Sequence, residues 1–370
     1  MGTLIVEGVA DRRGLRAFIR FPEILYRADP QWVPPLRRHE RARLSASNPL
    51  FAHAEARLFL ARRDGEVVGR VAVILEPRHL ERWRDGAGFF GFFEAVAEEQ
   101  VAAALFEAAR AWLRARGLTV MRGPVNPSAH DECGLLTEGF DRPPRILMPY
   151  NPPYYPALLE RVGLRPVREL LSYEVDTPPV LPEPVSTVAR AAEGRGVRIR
   201  PLDPGRLAAE VEVFRRLYND AWSENWGFVP MSEGEVAAMA SRLRPVLVPE
   251  LALFAEWESH PVGFVFCLPD FNPALRLLKG RVTPWGLVRF RRRARSLDEL
   301  RLLALGVLPE YRRRGVEALL LRKAFEAARR LGYRRAEAGW ILEENTVTRR
   351  LAERWGARVV KRYRMYEGPL

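Results

Sequence analysis

The sequence predicts an α/β protein in which one domain pattern occurs twice. Residues 157–174 align with residues 350–367 without a gap, at a constant offset of 193, and eight of these eighteen positions are identical. The pattern of strand, tight turn and strand at 58–74 recurs at 251–268, and the pentapeptide FEAAR occurs once in each half. Three matches in the same order indicate an internal duplication.

Each copy shows the same order of elements: helices, a β-hairpin, a longer strand, a helix, a strand, a short helix and a final strand. The two aligned segments each predict a helix closed by a glycine C-cap and followed by an alternating strand. Residues 176–196 are rich in proline and small residues, which is typical of a linker. The predicted domains are therefore 1–175 and 197–370, and the second begins with a strand at 197–200.

The composition is that of a folded protein with two domains of ordinary size. Of the 370 residues, 48% are hydrophobic and 28% are charged, which is typical of globular proteins. No apolar run is long enough to span a bilayer, and the N-terminus lacks a signal-peptide pattern, so we expect a cytoplasmic location. Cys133 and Cys267 fall in different predicted domains and suggest no disulfide framework. The histidines show no metal-ligand spacing, and no metal is expected.

The net charge of +13 is carried almost wholly by arginine, because the chain has only three lysines. Such a surplus favours an anionic partner. A nucleotide cofactor, a nucleic acid and a membrane surface all satisfy it, and the total charge alone does not choose among them.

The stretch VLPEYRRRGVEALLLRKAF, residues 307–325, is the strongest local signal for a ligand. It leads from a strand end through an arginine-rich turn and a glycine into a helix, whose first turn offers unpaired N–H groups and partial positive charge. A phosphate binds well at such an end. Gly315 lets the backbone approach a ligand closely, and Arg312, Arg313 and Arg314 could bind a pyrophosphate. The alternative is a solvated basic turn.

This turn resembles the acyl-CoA pyrophosphate loop of the GNAT superfamily of N-acetyltransferases. The residues that carry the resemblance are Val307, Pro309, Arg312, Gly315 and Val316, followed by the apolar helix from Ala318. The resemblance implies two tandem GNAT-like domains, each a mixed, mostly antiparallel sheet flanked by helices. It also implies acetyl-CoA or a longer acyl-CoA as co-substrate. The residues predicted to bind this co-substrate are Leu305, Val307, Arg312, Arg313, Arg314, Gly315, Val316 and Asn345.

The chain departs from the family pattern at two positions. Glu317 stands where the family has a second small residue, and its carboxylate would repel a pyrophosphate bound to the same N–H groups. Asn345 matches the family's asparagine, but the position of the tyrosine that protonates the departing thiolate is Ala352. Either another acid, Tyr363 or Tyr366, takes that role, or transfer needs none, or the site only binds a CoA-like ligand.

The first copy differs from the second where the second carries the phosphate loop. Between its strand at 88–93 and the helix that begins near Glu99, the first half has EAVAEE in place of PEYRRRGVE. An acidic turn without glycine is a poor phosphate site. The sequence therefore predicts an N-terminal domain without a phosphate loop.

A long connection at residues 122–156 follows the central helix of the first half. Most connections in compact domains are shorter, and long ordered loops are often functional. The loop contains Asn126, His130, Asp131, Glu132 and Cys133. A histidine beside carboxylates could act as general base for an amine or hydroxyl acceptor. The alternative is a hydrogen-bonded structural loop.

The chemistry is assigned to residues in both halves. The predicted catalytic residues are His130, Glu132 and Tyr366. The predicted substrate residues are Asn126, Asp131 and Tyr154, of which the tyrosine belongs to an aromatic and proline cluster that either walls a pocket or serves packing. Further candidate bases, unless they are simply exposed carboxylates, are Glu337, Glu343 and Glu344.

An insertion in the second half, residues 273–295, carries eight basic residues and no acidic one, with apolar residues interspersed. A basic amphipathic segment can lie on an anionic membrane or cover an acyl chain. Nucleic acid is a less expected partner because no base-reading motif accompanies the patch. The alternative is an ordinary solvated excursion.

These observations predict an acyl-CoA-dependent N-acyltransferase that binds its co-substrate in the C-terminal domain and acylates a small-molecule or lipid amine. The motifs FLARRDGEVVGR, NPSAHDECGLL and VLPEYRRRGVEALL also resemble a bacterial group of GNAT-like proteins of about this length. Some relatives of that group are linked to long-chain acyl transfer in sphingolipid formation. The alternatives are a non-catalytic GNAT-fold protein that binds CoA or another anionic ligand, and a membrane-peripheral adaptor.

Overall fold

The computed structural model describes residues 2–177 and 182–370. The strands in these ranges are β1 (Leu4–Gly8), β2 (Glu55–Arg63), β3 (Glu66–Leu75), β4 (Ala87–Ala95), β5 (Val120–Gly123), β6 (Leu135–Glu138), β7 (Arg165–Asp176), β8 (Arg198–Pro201), β9 (Ala252–Trp257), β10 (His260–Pro269), β11 (Glu299–Val307), β12 (Arg335–Leu342) and β13 (Arg358–Pro369). The α-helices are α1 (Arg12–Leu25), α2 (Arg37–Arg43), α3 (Pro77–Trp83), α4 (Glu99–Arg114), α5 (Tyr155–Arg161), α6 (Glu183–Gly194), α7 (Leu207–Ala221), α8 (Glu233–Leu243), α9 (Asn272–Leu275), α10 (Pro284–Ala294), α11 (Val316–Arg330) and α12 (Thr346–Arg354).

The chain divides into two compact units. The first consists of Met1–Leu170, Asn272–Ala294 and Lys361–Leu370, and the second of Leu171–Phe271 and Arg295–Val360, each as far as it is described. The unit boundaries fall inside β7 and β13. The predicted domain limits, 1–175 and 197–370, stay a prediction. The units differ from those limits in two places. Residues Asn272–Ala294, which contain most of the basic insertion, and Lys361–Leu370, which contain the end of β13, belong to the first unit.

The sheet of the first unit has the strand order β1-β2-β3-β4-β5-β13, and β6 also pairs with β13. Each pair of neighbouring strands in this order, and the pair β6–β13, is antiparallel, except that β4 and β5 are parallel. Helix α4 lies against one face, where Val101, Leu105 and Phe106 are fully buried. Phe18 of α1 packs on the other face with Leu60 and Phe92. The sheet is therefore mixed, mostly antiparallel and flanked by helices, as predicted.

The sheet of the second unit repeats this plan in the order β8-β9-β10-β11-β12, with the second half of β7 beside β12. Among the pairings of the described strands β8 to β12, only that of β11 with β12 is parallel. Successive residues of β10 face opposite sides. Val265 and Cys267 meet helices α6 and α11, whereas Phe264 and Phe266 meet helices α7 and α8. The predicted fold class, an α/β protein of two tandem GNAT-like domains, is confirmed.

The segment predicted as a linker differs from the expectation. Of 176–196, residues 178–181 lie outside the described residues, but Glu183–Gly194 form helix α6. Val185, Ala189 and Ala192 recur at helical spacing and are buried in the core of the second unit. Pro184 fits the first turn of a helix, where its missing N–H has no partner to lose. The prolines therefore precede and start a packed helix.

Candidate functional site

The parallel strands β11 and β12 of the second unit separate toward their C-terminal ends. Their pairing ends at Leu302 and Ala338, although β11 continues to Val307 and β12 continues to Leu342. On its other edge β11 stays paired with β10 as far as Val307. The end of β11 therefore has one edge of backbone that β12 does not pair, and such groups seek another partner.

Leu305 lies on this open stretch of β11. Its carbonyl accepts a hydrogen bond from Nε1 of Trp222 at 3.3 Å, so the carbonyl points away from β10. The N–H and C=O of one strand residue point to the same side in an antiparallel pairing. The N–H of Leu305 is thus placed to donate to a carbonyl oxygen bound beside β11. Trp222 follows the last residue of α7 and is a contact that the sequence did not signal.

The predicted phosphate loop connects β11 to the N-terminus of α11. Arg313 has a φ of 61° and Gly315 a φ of 83°, so two left-handed residues turn the chain before the helix. Gly315 is the N-cap, and no side chain caps the helix. The first intrahelical bond runs from the N–H of Leu319 to the carbonyl of Gly315. The N–H groups before Leu319 carry the positive end of the helix dipole, which suits an anion.

The three arginines of the loop are in different environments. Nε of Arg312 donates to the Val307 carbonyl at 3.2 Å, and its Nη2 donates to the Ala221 carbonyl at 2.7 Å. The guanidinium of Arg314 lies 5.5 Å from the ring centre of Trp257. Arg313 is exposed, and none of the described residues forms an ion pair or hydrogen bond with its side chain. Arg313 and Arg314 therefore keep their N–H donors for a ligand, while Arg312 fastens the loop.

Glu317 stands in the first turn of α11, as its sequence position implies. Burial raises the pKa of its carboxyl above the ordinary value, while its own backbone N–H and the charge of Arg312 act in the opposite direction. Burial thus makes the charged form of Glu317 less favourable here than in water, which weakens the objection that this residue raises to an anion at the helix end.

Helix α6 packs directly against the phosphate loop. A Cβ added to Gly315 would lie 2.9 Å from the Val188 carbonyl oxygen, 3.0 Å from Val188 Cγ1 and 3.3 Å from the Ala192 Cβ. Glycine is therefore required here both for its left-handed φ and for the close approach of α6. The segment predicted to be a linker thus supports the turn that was predicted to bind the cofactor.

Asn345 and Glu337 occupy defined positions in the second unit. Asn345 is the N-cap of α12, and its Oδ1 accepts from the N–H of Thr348 at 3.1 Å. Glu337 is 2% exposed and accepts a hydrogen bond from Oγ of Ser172 at 2.7 Å. An exposed carboxylate is thus the wrong interpretation for Glu337, which lies inside the fold next to β7.

In the first unit, the equivalent space beside the parallel strands is filled by the unit's own backbone. Its parallel pair, β4 and β5, is last paired at Phe89 and Arg122, but the chain after β5 returns to β4. The N–H of Val125 donates to the Phe90 carbonyl at 2.9 Å, and Gly91 lies so close to the Val125 carbonyl that a Cβ would overlap it. Backbone therefore fills the space beside β4.

Side chains fill the rest of this edge. Oδ1 of Asn126 accepts from the N–H of Phe92 at 2.6 Å. At Ala95, the N–H donates to the Tyr155 hydroxyl at 2.8 Å, and the carbonyl accepts from the Tyr154 hydroxyl at 2.8 Å. The registers of β3–β4 and β10–β11 make Ala95 the counterpart of Val307. Donors that are open to a ligand in the second unit are thus satisfied internally in the first.

The buried side chain of Glu94 holds Tyr155, together with Tyr26. Oε2 of Glu94 accepts from the hydroxyls of Tyr26 at 2.6 Å and Tyr155 at 2.7 Å, and Arg70 lies 3.6 Å from Oε1. Burial raises the pKa of the Glu94 carboxyl, and Arg70 and the two hydroxyls oppose that rise. Burial, and after it the charge of Glu94, raises the pKa of the Tyr154 hydroxyl to about 12. This cluster was not found from the sequence, although a glutamate in the apolar strand GFFGFFEA was its signal.

In the loop predicted to hold a base, residues 125–133 form a tight hairpin closed by a bridge between Val125 and Cys133. The N–H of Asn126 donates to the Glu132 carbonyl at 2.8 Å, and Ser128 Oγ donates to Asp131 Oδ2 at 3.1 Å. Arg43 binds the Glu132 carboxylate at 3.2 Å and also donates to the Asn126 carbonyl. These contacts are those expected of a hydrogen-bonded structural loop, the alternative that the sequence left open. His130 lies in the same hairpin, where its N–H donates to Ser128 Oγ at 3.3 Å.

Tyr366 lies in the hydrophobic core of the first unit, fully buried. Burial raises the pKa of its hydroxyl, and Arg364 opposes the rise. A tyrosine with a raised pKa stays protonated, as a general acid must.

The structure brings the predicted residues together in two groups. Those predicted to bind the co-substrate, Leu305, Val307, Arg312, Arg313, Arg314, Gly315, Val316 and Asn345, belong to the second unit. Those predicted to act in catalysis or to bind the acceptor, Asn126, His130, Asp131, Glu132, Tyr154 and Tyr366, belong to the first. Their assigned roles stay predictions. Among the described residues, no cluster of His, Cys, Asp and Glu is placed to hold a metal ion.

Comparison with known proteins identifies close relatives. The family model described as "Acetyltransferase (GNAT) family" matches residues 211–357. "Protein YghO" of Escherichia coli K12 is 35% identical over 98% of this chain and 95% of its own length. "Bacterial ceramide synthase" of Caulobacter vibrioides is 36% identical over 96% of this chain and 95% of its own length. Both relatives match along almost the whole chain, so both units take part in the similarity.

Solved structures share the architecture. A "Tandem GNAT protein from the clavulanic acid biosynthesis pathway" aligns over 99% of this chain and 98% of its own, with a TM-score of 0.57 and 14% identity. At that identity the likeness concerns the fold alone, and it confirms the tandem arrangement. In the described part of the chain, no helix combines the length and the apolar character needed to cross a bilayer.

Proposed function

Because the chain belongs to the GNAT acetyltransferase family, we propose that it transfers an acyl group from acyl-CoA to an amine, and that acyl-CoA binds in the second unit. The observation that carries this proposal is the open edge of β11 leading into the loop of Arg313 and Gly315. The parallel pairing stops at Leu302 while β11 runs on to Val307. The second unit alone retains this combination, since Tyr155 occupies the matching edge in the first.

The chemistry follows from the positions of the donors. The helix N-terminus and Arg313 would hold the pyrophosphate, and backbone N–H groups between Leu305 and Val307 would polarise the thioester carbonyl. The amine nitrogen attacks that carbonyl, and the C–N bond forms as the C–S bond breaks. The nitrogen gives up one N–H proton as the amide forms, the thiolate takes up a proton, and CoA leaves as its thiol. The amine must first lose a proton, for which His130, Glu132 or a water is the proposed base. Of these, Glu132 lies 3.2 Å from its arginine partner, Arg43.

We propose a long-chain amine as the acceptor. A relative that is 36% identical along almost its whole length is named a ceramide synthase, and a ceramide is the N-acylated form of a long-chain amino alcohol. A long-chain acyl-CoA and a long-chain amino alcohol are therefore the first substrates to test.

The co-substrate assignment is tested by calorimetry with two ligands, acyl-CoA and the matching S-acyl pantetheine, which lacks the pyrophosphate. Arg313→Ala should weaken acyl-CoA binding about tenfold, the effect of one lost charged hydrogen bond. It should leave S-acyl pantetheine binding unchanged. Arg330→Ala is the matched control, because Arg330 is an exposed arginine at the other end of α11. Equal effects of the two variants would contradict the proposed pyrophosphate site.

The transfer is tested with a panel of amines that share one head group and differ in chain length. We expect turnover with the long-chain amino alcohol and little with its short-chain analogue. A second function, CoA binding without transfer, is favoured by Ala352, which stands where a proton donor is expected. Tight acyl-CoA binding with no turnover across the panel would support that second function and exclude the first.

A further inference from the structure

The insertion forms an exposed surface on the first unit, here called the α10 surface. It consists of the apolar residues Val282, Trp285 and Val288 and the basic residues Arg281, Arg289, Arg291 and Arg292. The side chains of Trp285, Val288 and Val282 are 80%, 58% and 46% exposed. Among the large apolar side chains of the described residues, Trp285 has the greatest exposed fraction.

The α10 surface is held in place from its inner side. Gly286 is buried, and its N–H donates to Oγ1 of Thr283 at 3.1 Å. The segment leading to α10 is fastened to the rest of the first unit by three bonds. Asn272 Nδ2 donates to the Pro144 carbonyl at 2.7 Å, Arg276 Nη2 donates to the Gln31 carbonyl at 3.1 Å, and the Arg37 N–H donates to the Gly280 carbonyl at 3.1 Å. The surface is therefore presented by an anchored helix.

The outward face of α10 combines apolar and basic side chains. Positions 285, 288, 289 and 292 follow the spacing of one helix face, whereas Gly286, Leu287, Phe290 and Ala294 face inward. Among the described residues, none forms an ion pair with Arg281, Arg289, Arg291 or Arg292. Between residues 273 and 295 there is no acidic side chain. The surface thus has a strong positive potential around exposed apolar groups.

We propose that the α10 surface docks the protein on an anionic lipid bilayer. Tryptophan is favoured at the level of lipid head groups because its ring is both apolar and a hydrogen-bond donor. Arginines beside it reach lipid phosphates while their apolar stems lie against the acyl chains. A nucleic acid would satisfy the arginines but would leave Val282 and Val288 exposed. The inference goes beyond the proposed acyl transfer and does not depend on it.

The test is co-sedimentation of the full chain with vesicles of equimolar phosphatidylglycerol and phosphatidylcholine at low salt. Pure phosphatidylcholine vesicles serve as the uncharged comparison. The triple variant Arg289→Gln/Arg291→Gln/Arg292→Gln should lower the partition coefficient about a hundredfold, from about fivefold for each basic residue at the surface. Trp285→Ala should lower it about tenfold through the lost apolar contact. Binding of the wild type should weaken as salt is added.

The matched control is Arg12→Gln/Arg13→Gln/Arg16→Gln, which removes the same charge from exposed residues of α1. This variant should keep nearly wild-type binding if the α10 surface makes the contact. Equal losses in both triple variants would show attraction by net charge alone and overturn the proposal. So would a wild type that does not sediment, or one that binds single-stranded RNA more tightly than the vesicles. Acyl-CoA calorimetry on the same variants should be unchanged, which separates this proposal from the transferase assignment.

Discussion

Because α6 approaches the phosphate loop closely, we expect that replacing Gly315 by alanine lowers the free energy of unfolding more than a usual glycine-to-alanine change. Alanine in a left-handed conformation costs about 1–2 kcal/mol. At Gly315 the new methyl would also lie 2.9 Å from the Val188 carbonyl oxygen and 3.0 Å from Val188 Cγ1. Such overpacking adds about 1–3 kcal/mol. We therefore expect Gly315→Ala to lower the free energy of unfolding by about 2–5 kcal/mol.

Gly332 is the matched control, because it follows the other end of the same helix. Its φ is 88°, and a Cβ there would meet nothing within 4 Å. Gly332→Ala should cost only the backbone strain, about 1–2 kcal/mol. Urea unfolding of both variants, with m-values compared, measures the difference. In the Val188→Ala background part of the excess at Gly315 should disappear, because Cγ1 is gone. Equal costs at Gly315 and Gly332 would refute the packing of α6 against the loop.

Further substitutions at four positions separate fold from ligand binding. Arg312→Ala leaves two carbonyls without a donor and should lower the free energy of unfolding by about 1–3 kcal/mol, whereas Arg313→Ala should not change urea unfolding. The folded-state pKa of Glu317 is raised above its ordinary value of 4.5. The protonated side chain therefore contributes stability that is fully present below pH 4.5 and is lost as the pH rises through the folded-state pKa. In urea unfolding, Glu317→Gln should therefore be more stable than wild type near neutral pH but not below pH about 4. In calorimetry, the same variant should bind acyl-CoA more tightly. Asn126→Ala leaves the Phe92 N–H unsatisfied and should cost about 1–3 kcal/mol without changing acyl-CoA affinity, and Asn126→Asp should recover part of this loss.

The order of strands and helices could be predicted because it is encoded locally. Gly163 and Gly356 close α5 and α12 with φ values of 82° and 79°, as the aligned glycines indicated. The phosphate loop was likewise visible from a glycine between arginines and an apolar helix. These features depend on residues close in sequence, and backbone conformation there follows from residue type.

Helix α6 was missed because two local signals disagree. The prolines before Glu183 and the glycines at its end favour a linker, while Val185, Ala189 and Ala192 have the spacing of a buried helix face. The helix is stabilised by contacts with α11, which is distant in sequence. Tertiary packing of small residues, which local propensity does not report, decided the outcome.

The partners of individual polar groups were also beyond the sequence. Arg312 was predicted as a ligand for pyrophosphate because of its place in the motif, yet its guanidinium bonds the carbonyls of Val307 and Ala221. The alanine lies 91 residues away in sequence, so no local pattern could signal the contact. Only the fold determines which donors of a basic loop are already used.

The two copies differ in their hydrogen-bond partners, and for this reason a single change would not give the first unit a cofactor site. Its helix α4 begins with Glu98 and Glu99, which disfavour an anion at that end. Even with that turn replaced, the Ala95 N–H would remain bonded to Tyr155 and the Phe92 N–H to Asn126. Each of these bonds stabilises the first unit, because a buried donor without a partner is costly. The polar groups that a ligand would satisfy have become part of the fold in one copy, and in the other the strands stay apart.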